Sequence, residues 1–140
     1  MSLTLLIGEK GRMSLALQDV LKSRSKNFLL VGDAKKTPQI DSSSKVEGII
    51  DFSAPEAAPD VVTLALHFKA PLVCGTTGWK SANSIQETFS LVSRTLPIVW
   101  DSNYSLGVEL LCQAAETVAK QGPQSILIED IHHIHKKDAP

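Results

Sequence analysis

The densest cluster of titratable side chains is Asp130-Ile131-His132-His133-Ile134-His135-Lys136-Lys137-Asp138. Three histidines and two lysines fall within six residues there. An imidazole changes charge near neutral pH while an ammonium stays charged, so the segment can supply a general acid and cationic partners for carboxylates. Metal binding and a solvated basic tail compete with that chemistry. On a strand, His133 and His135 share one face and His132 lies on the other, so a single ion cannot readily use all three. No CxxC or HExxH accompanies them, and no metal ligand is assigned.

Near the N-terminus stands Gly8-Glu9-Lys10-Gly11-Arg12-Met13-Ser14, of the form GxxGRMS. It falls where an apolar run ends and a helical pattern begins. Glycine at such a turn lets backbone N–H groups approach a pyrophosphate, and the helix N-terminus favours negative charge. The third glycine of the usual fingerprint is replaced by Ser14. Asp33, 22 residues after Gly11, is placed to hydrogen-bond the ribose hydroxyls of a dinucleotide. Lys35 and Lys36 either neutralise a 2′-phosphate or belong to a solvated turn, which leaves NAD against NADP open. Asp51-Phe52-Ser53 and Gly75-Thr76-Thr77-Gly78 are small-residue turns at the ends of two further apolar runs, where they leave room for a nicotinamide ring.

The elements that must position these groups alternate. Leu3–Gly8, Asn27–Gly32, Val46–Phe52, Pro71–Cys74 and Pro97–Trp100 are short apolar runs of the kind that form strands buried on both faces. Between and after them, helical periodicity marks Arg12–Ser25, a helix from about Asp60 to Lys69, Ser81–Arg94 and Ser105–Lys120. In the first of these the apolar positions are Met13, Leu15, Ala16, Leu17, Val20 and Leu21. In the last, Val108, Leu111, Ala115 and Val118 form one stripe. Lys35–Lys45 is a loop, and Ser125–His135 is expected to be a final strand. Strand–helix alternation predicts an α/β fold, a doubly wound parallel sheet with right-handed crossovers. Ligands bind at the C-terminal edge of such a sheet, where the motifs fall.

The chain has 140 residues, the size of one ordinary domain. Apolar residues make up 43% and charged residues 21%, enough for a buried core and against disorder. The net charge of −1 argues against a nucleic-acid groove or an anionic membrane surface. No apolar run reaches the roughly 20 residues of a membrane span. The start of the chain lacks the basic region of a secretory leader. Cys74 and Cys112 lie in apolar segments and are expected to be reduced core residues of a cytoplasmic protein.

Taken in order, GxxGRM, DFSxPEA, GTTG, SNYSLGV and HHxxKxDAP resemble the dihydrodipicolinate reductase family (4-hydroxy-tetrahydrodipicolinate reductase) of bacterial lysine and diaminopimelate biosynthesis, over essentially the whole chain. The resemblance implies a Rossmann-like cofactor domain at 1–104. Residues 105–140 would begin a second α+β domain for substrate and oligomerisation. It implies reduction of a cyclic imine dicarboxylate by NADH or NADPH, in a homo-oligomer with no nucleic-acid or membrane partner. Gly8, Lys10, Gly11, Arg12, Met13 and Asp33 would bind the cofactor. Phe52, Ser53, Gly75, Thr76 and Thr77 would line its nicotinamide side, and Ser102, Asn103 and Tyr104 the hinge side. His132 would donate the proton, Lys136 would assist, and His133 would contact substrate.

Two departures accompany the resemblance. The family pattern continues past Pro140 into Ser-Gly-Thr and a longer sheet, so the chain reads as a form shortened at the C-terminus. Arginine, common in the family just after the acidic cofactor residue, is Ala34 here. A dinucleotide-binding protein without catalysis is the alternative function.

Overall fold

The structure, a computed structural model, describes residues 1–78, 83–122, 125–129 and 131. The five predicted strands β1 (Ser2–Ile7), β2 (Phe28–Val31), β3 (Lys45–Asp51), β4 (Leu72–Cys74) and β5 (Ile98–Trp100) form one parallel sheet in the order β2-β1-β3-β4-β5. The chain leaves β1 toward β2 on one side and then returns to β3 on the other. The sheet therefore has its switch point between β1 and β3. β1 sits next to that point and is almost wholly buried, as a continuous apolar run on both faces requires.

Register puts Leu5, Ile49, Leu72 and Ile98 in one row across the sheet, and Ile7, Asp51, Cys74 and Trp100 in the row above it. These rows pack with Val61, Leu64 and Ala65 of α2 (Ala58–Phe68) and with Phe89 and Val92 of α3 (Asn83–Val92). Asp51 is thus a carboxylate set into an apolar row. On the opposite face, Leu6, Ile50, Val73 and Val99 form a third row that runs from full burial at Leu6 to 55% exposure at Val99. α1 (Arg12–Ser23) follows β1, and a right-handed crossover to β2 puts it on this second face.

Several expectations change. Helix α2 begins at Ala58, after a 3-10 turn at Pro55–Ala57, and not near Asp60. Pro59 occupies the first turn of α2, where a missing N–H costs nothing. In α1 the buried residue is Ser14, while Met13, Leu15 and Val20 are about half exposed. A small side chain is what lets the start of α1 come down onto the sheet.

The chain divides into two compact units, Met1–Asn103 and Tyr104–Pro140. In the second, α4 (Leu106–Ala119) carries the expected stripe, and Val108, Leu111 and Val118 are exposed. Cys112 is exposed as well, contrary to its expected place in a core. Ser125–Glu129 and Ile131 form no strand, and the rest of Ser125–His135 lies outside the described residues. A β-ladder needs a neighbour, and the five described strands all belong to the first unit. Among the described residues no helix is long and apolar enough to cross a membrane.

Candidate functional site

β1 delivers Gly8 to the C-terminal edge of the sheet with φ +96°, a conformation that side-chain-bearing residues rarely adopt. A Cβ at Gly8 would also stand 2.8 Å from the Phe52 carbonyl oxygen at the end of β3. Two backbones therefore meet at a distance that only glycine permits. Gly11 caps α1, and its own N–H donates to the Gly8 carbonyl at 3.1 Å. Having no side chain, Gly11 leaves the first-turn N–H groups of α1, which have no partner within the helix, facing outward. The charge and direction of those groups suit an anion.

A cleft of about 410 Å³ opens on this turn, lined by Gly8, Glu9, Lys10, Gly11, Gly32, Phe52 and Ser53. A second, of about 240 Å³, is lined by Gly11, Arg12, Met13, Phe52, Ser53, Gly75, Thr76 and Thr77. Gly11, Phe52 and Ser53 belong to both, so the two form one groove over the switch point. The Phe52 ring covers Gly75, where a Cβ would run into it.

The second end of the groove is built on a buried carboxylate. Oδ1 of Asp51 accepts the Ser53 hydroxyl at 2.5 Å and the Ser53 N–H at 3.1 Å. Oδ2 accepts the Thr76 hydroxyl at 2.8 Å and the Cys74 thiol at 3.1 Å. Asp51 is fully buried, and these four donors satisfy it with no counter-ion among the described residues. The Thr76 carbonyl accepts the Trp100 indole N–H at 3.4 Å, and Trp100 stacks on Phe89 with ring centres 5.5 Å apart. Burial, and next the Asp51 charge, push the Cys74 thiol up to about 12 from its ordinary 9.0, so it stays protonated at neutral pH.

At the first end, Asp33 follows β2 and is exposed. Its Oδ1 accepts the Lys35 N–H at 3.1 Å, and Oδ2 lies 4.0 Å from the Lys36 ammonium. Ala34 turns inward and is only 7% exposed, part of the core.

The groove thus brings together Gly8, Lys10, Gly11, Arg12, Met13, Phe52, Ser53, Gly75, Thr76 and Thr77. Asp33 adjoins it through Gly32. Ser102 and Asn103 follow β5 and line neither cleft, and Asn103 donates its N–H to Asp101 at 3.0 Å. Tyr104 belongs to the second unit. His132, His133 and Lys136 lie outside the described residues. Sequence reasoning passed over Glu9 and Gly32, which line the groove, and Cys74, which donates to Asp51. Glu9 was visible as a spacer between two turn glycines, whereas Cys74 reads as one more apolar core residue.

A family model described as "Dihydrodipicolinate reductase, N-terminus" matches residues 3–104, the stretch that contains both clefts. The chain belongs to this family. The dihydrodipicolinate reductase match includes every groove residue from Gly8 to Thr77, and the parallel sheet is the Rossmann-like fold expected of it. Curated relatives extend the likeness beyond that stretch. A 4-hydroxy-tetrahydrodipicolinate reductase of Bdellovibrio bacteriovorus is 34% identical over 142 residues, covering 96% of this chain and 58% of the relative. One of Zymomonas mobilis is 35% identical over 144 residues, covering 96% and 56%. One of Helicobacter hepaticus is 45% identical over 93 residues, covering 66% and 36%. The chain spans about half the length of the first two.

Proposed function

We propose that this chain is the dinucleotide-binding part of a 4-hydroxy-tetrahydrodipicolinate reductase, which uses NADH or NADPH to form tetrahydrodipicolinate in lysine and diaminopimelate biosynthesis. The observation that carries it is the approach of Gly8 to Phe52 at the switch point, a cradle that any Cβ would fill, opening on a helix N-terminus with no side-chain cap. A pyrophosphate fits there, with its charge on the α1 N–H groups and its linkage close to the Gly8 backbone. The adenosine would run toward Gly32 and Asp33, and the nicotinamide toward Phe52 and Gly75–Thr77. When bound, the nicotinamide supplies a hydride.

The protein's own contributions divide along the chain. Residues 1–104 hold and orient the cofactor, with Ser102, Asn103 and Tyr104 on the hinge side. Residues 105–140 begin the substrate domain. His132 donates the proton, Lys136 stabilises the charge that builds on the reduced imine, and His133 contacts the dicarboxylate. The protein works in the cytoplasm as a homo-oligomer, with no nucleic-acid or membrane partner.

Titration of the chain with each dinucleotide, followed by tryptophan quenching, tests the reading. Saturable binding of at least one nicotinamide dinucleotide is expected, together with dinucleotide oxidation that depends on freshly made substrate. Absence of binding by either dinucleotide would overturn it.

A further inference from the structure

The groove carries a feature that the family pattern does not specify. Glu9 is one of the two spacers between the turn glycines, and its side chain reaches across to Gly32, just past the end of β2. Oε2 of Glu9 lies 3.0 Å from the point where a Cβ of Gly32 would stand, and both residues line the same cleft. Gly32 is followed directly by Asp33. Two carboxylates therefore flank the adenosine end of the groove, one from each side of Gly32.

We propose that Glu9 is a specificity-determining residue which, with Asp33, makes this groove select NADH over NADPH. The inference rests on the dinucleotide reading given above and concerns the same site. A ribose 2′-hydroxyl has a proton to donate, and a carboxylate only accepts, so the unphosphorylated ribose matches this end. A 2′-phosphate is itself an acceptor and brings about two negative charges at neutral pH. Set beside Glu9 and Asp33, it meets like charge from both carboxylates.

The nearby cations do not reverse that balance. The Lys36 ammonium is 4.0 Å from Asp33 and 86% exposed, so it is already shared with that carboxylate and open to screening by salt. Lys35 is exposed, with its N–H turned to Asp33. Lys10 lines the cleft between Gly8 and Gly11, on the pyrophosphate turn. An arginine fork, the geometry that grips a phosphate with two parallel bonds, is missing at position 34, where Ala34 is buried in the core.

The test is a pair of dissociation constants, for NADH and NADPH, on the wild-type chain and on Glu9→Gln, Glu9→Lys and Asp33→Asn. The wild type is expected to bind NADH about tenfold more tightly than NADPH. Glu9→Gln should narrow that ratio about threefold and Glu9→Lys should narrow it further, mainly through tighter NADPH binding. Circular dichroism checks that each variant folds, and Asp33→Asn gives an independent second reading if one Glu9 variant does not. Equal or tighter NADPH binding by the wild type, or a ratio unmoved by both Glu9 variants, overturns the proposal while leaving the dinucleotide site standing. Failure of the wild type to bind either dinucleotide removes the site itself, and this inference with it.

Discussion

The Thr76 hydroxyl donates to Oδ2 of Asp51 at 2.8 Å and at the same time accepts the Ser53 N–H at 3.0 Å. One side chain thereby clasps the turn after β3 to the turn after β4. Thr76 spends its hydroxyl inside the protein, whereas the neighbouring Thr77 is exposed on the groove. Replacing Asp51 with asparagine puts an amide donor among donors. Asp51→Asn is expected to lower unfolding stability by about 2 kcal/mol and to weaken dinucleotide binding. Urea denaturation and titration measure both, and an unchanged urea midpoint would show that the clasp contributes nothing.

Gly8 and Gly11 look equivalent in the motif, yet the fold treats them differently. Gly8 combines φ +96° with a backbone oxygen 2.8 Å from any added Cβ. Gly11 has φ −72° and nothing nearer than 3.6 Å. Gly8→Ala is expected to cost about 2 kcal/mol or more and to abolish dinucleotide binding, while Gly11→Ala folds with less than about 1 kcal/mol of change. Thermal melts of the two variants side by side decide the matter.

Ser14 is fully buried, and its hydroxyl has no hydrogen-bond partner among the described residues. An unpaired buried hydroxyl costs stability, and alanine keeps the packing volume close. Ser14→Ala should therefore raise stability by about 1 kcal/mol. A variant less stable than the wild type in chemical denaturation would mean that the hydroxyl is satisfied after all.

The two cysteines should differ sharply in reactivity. Iodoacetamide at about pH 8 is expected to modify exposed Cys112 and to spare Cys74, which is buried and bonded to Asp51. The Cys74 pKa is raised in the folded state from 9.0 to about 12, so its contribution is fully present below pH 9 and is lost as pH climbs toward 12. Mass spectrometry reports the labelling site. Alkaline denaturation of the wild type against Cys74→Ala reports the linkage, and parallel pH profiles would disprove it.

Alternating apolar runs made the five-stranded sheet readable, because a strand buried on both faces leaves a nearly continuous apolar signature. Gly8 was readable for a similar reason: positive φ and close backbone approach admit few other residues. What stayed hidden depends on partners far away in sequence. The Asp51 clasp joins residues 23 to 25 positions apart, and its thiol donor has the composition of a core residue. Ser125–His135 has a strand's composition, yet its described residues Ser125–Glu129 and Ile131 form no strand, and composition cannot reveal that. The reach of Glu9 to Gly32 is equally invisible, since spacers in a glycine turn carry no periodic signal.

Ala34 ties the packing of the interior to the chemistry of the groove's edge. It is a core residue, 7% exposed, and it directly follows Asp33, the exposed carboxylate proposed above to meet the ribose. A mutation there toward phosphate recognition would have to eject part of the hydrophobic interior before offering any benefit. A designer wishing to change the coenzyme should start instead from exposed positions such as 9 and 35, where a new side chain leaves the interior intact.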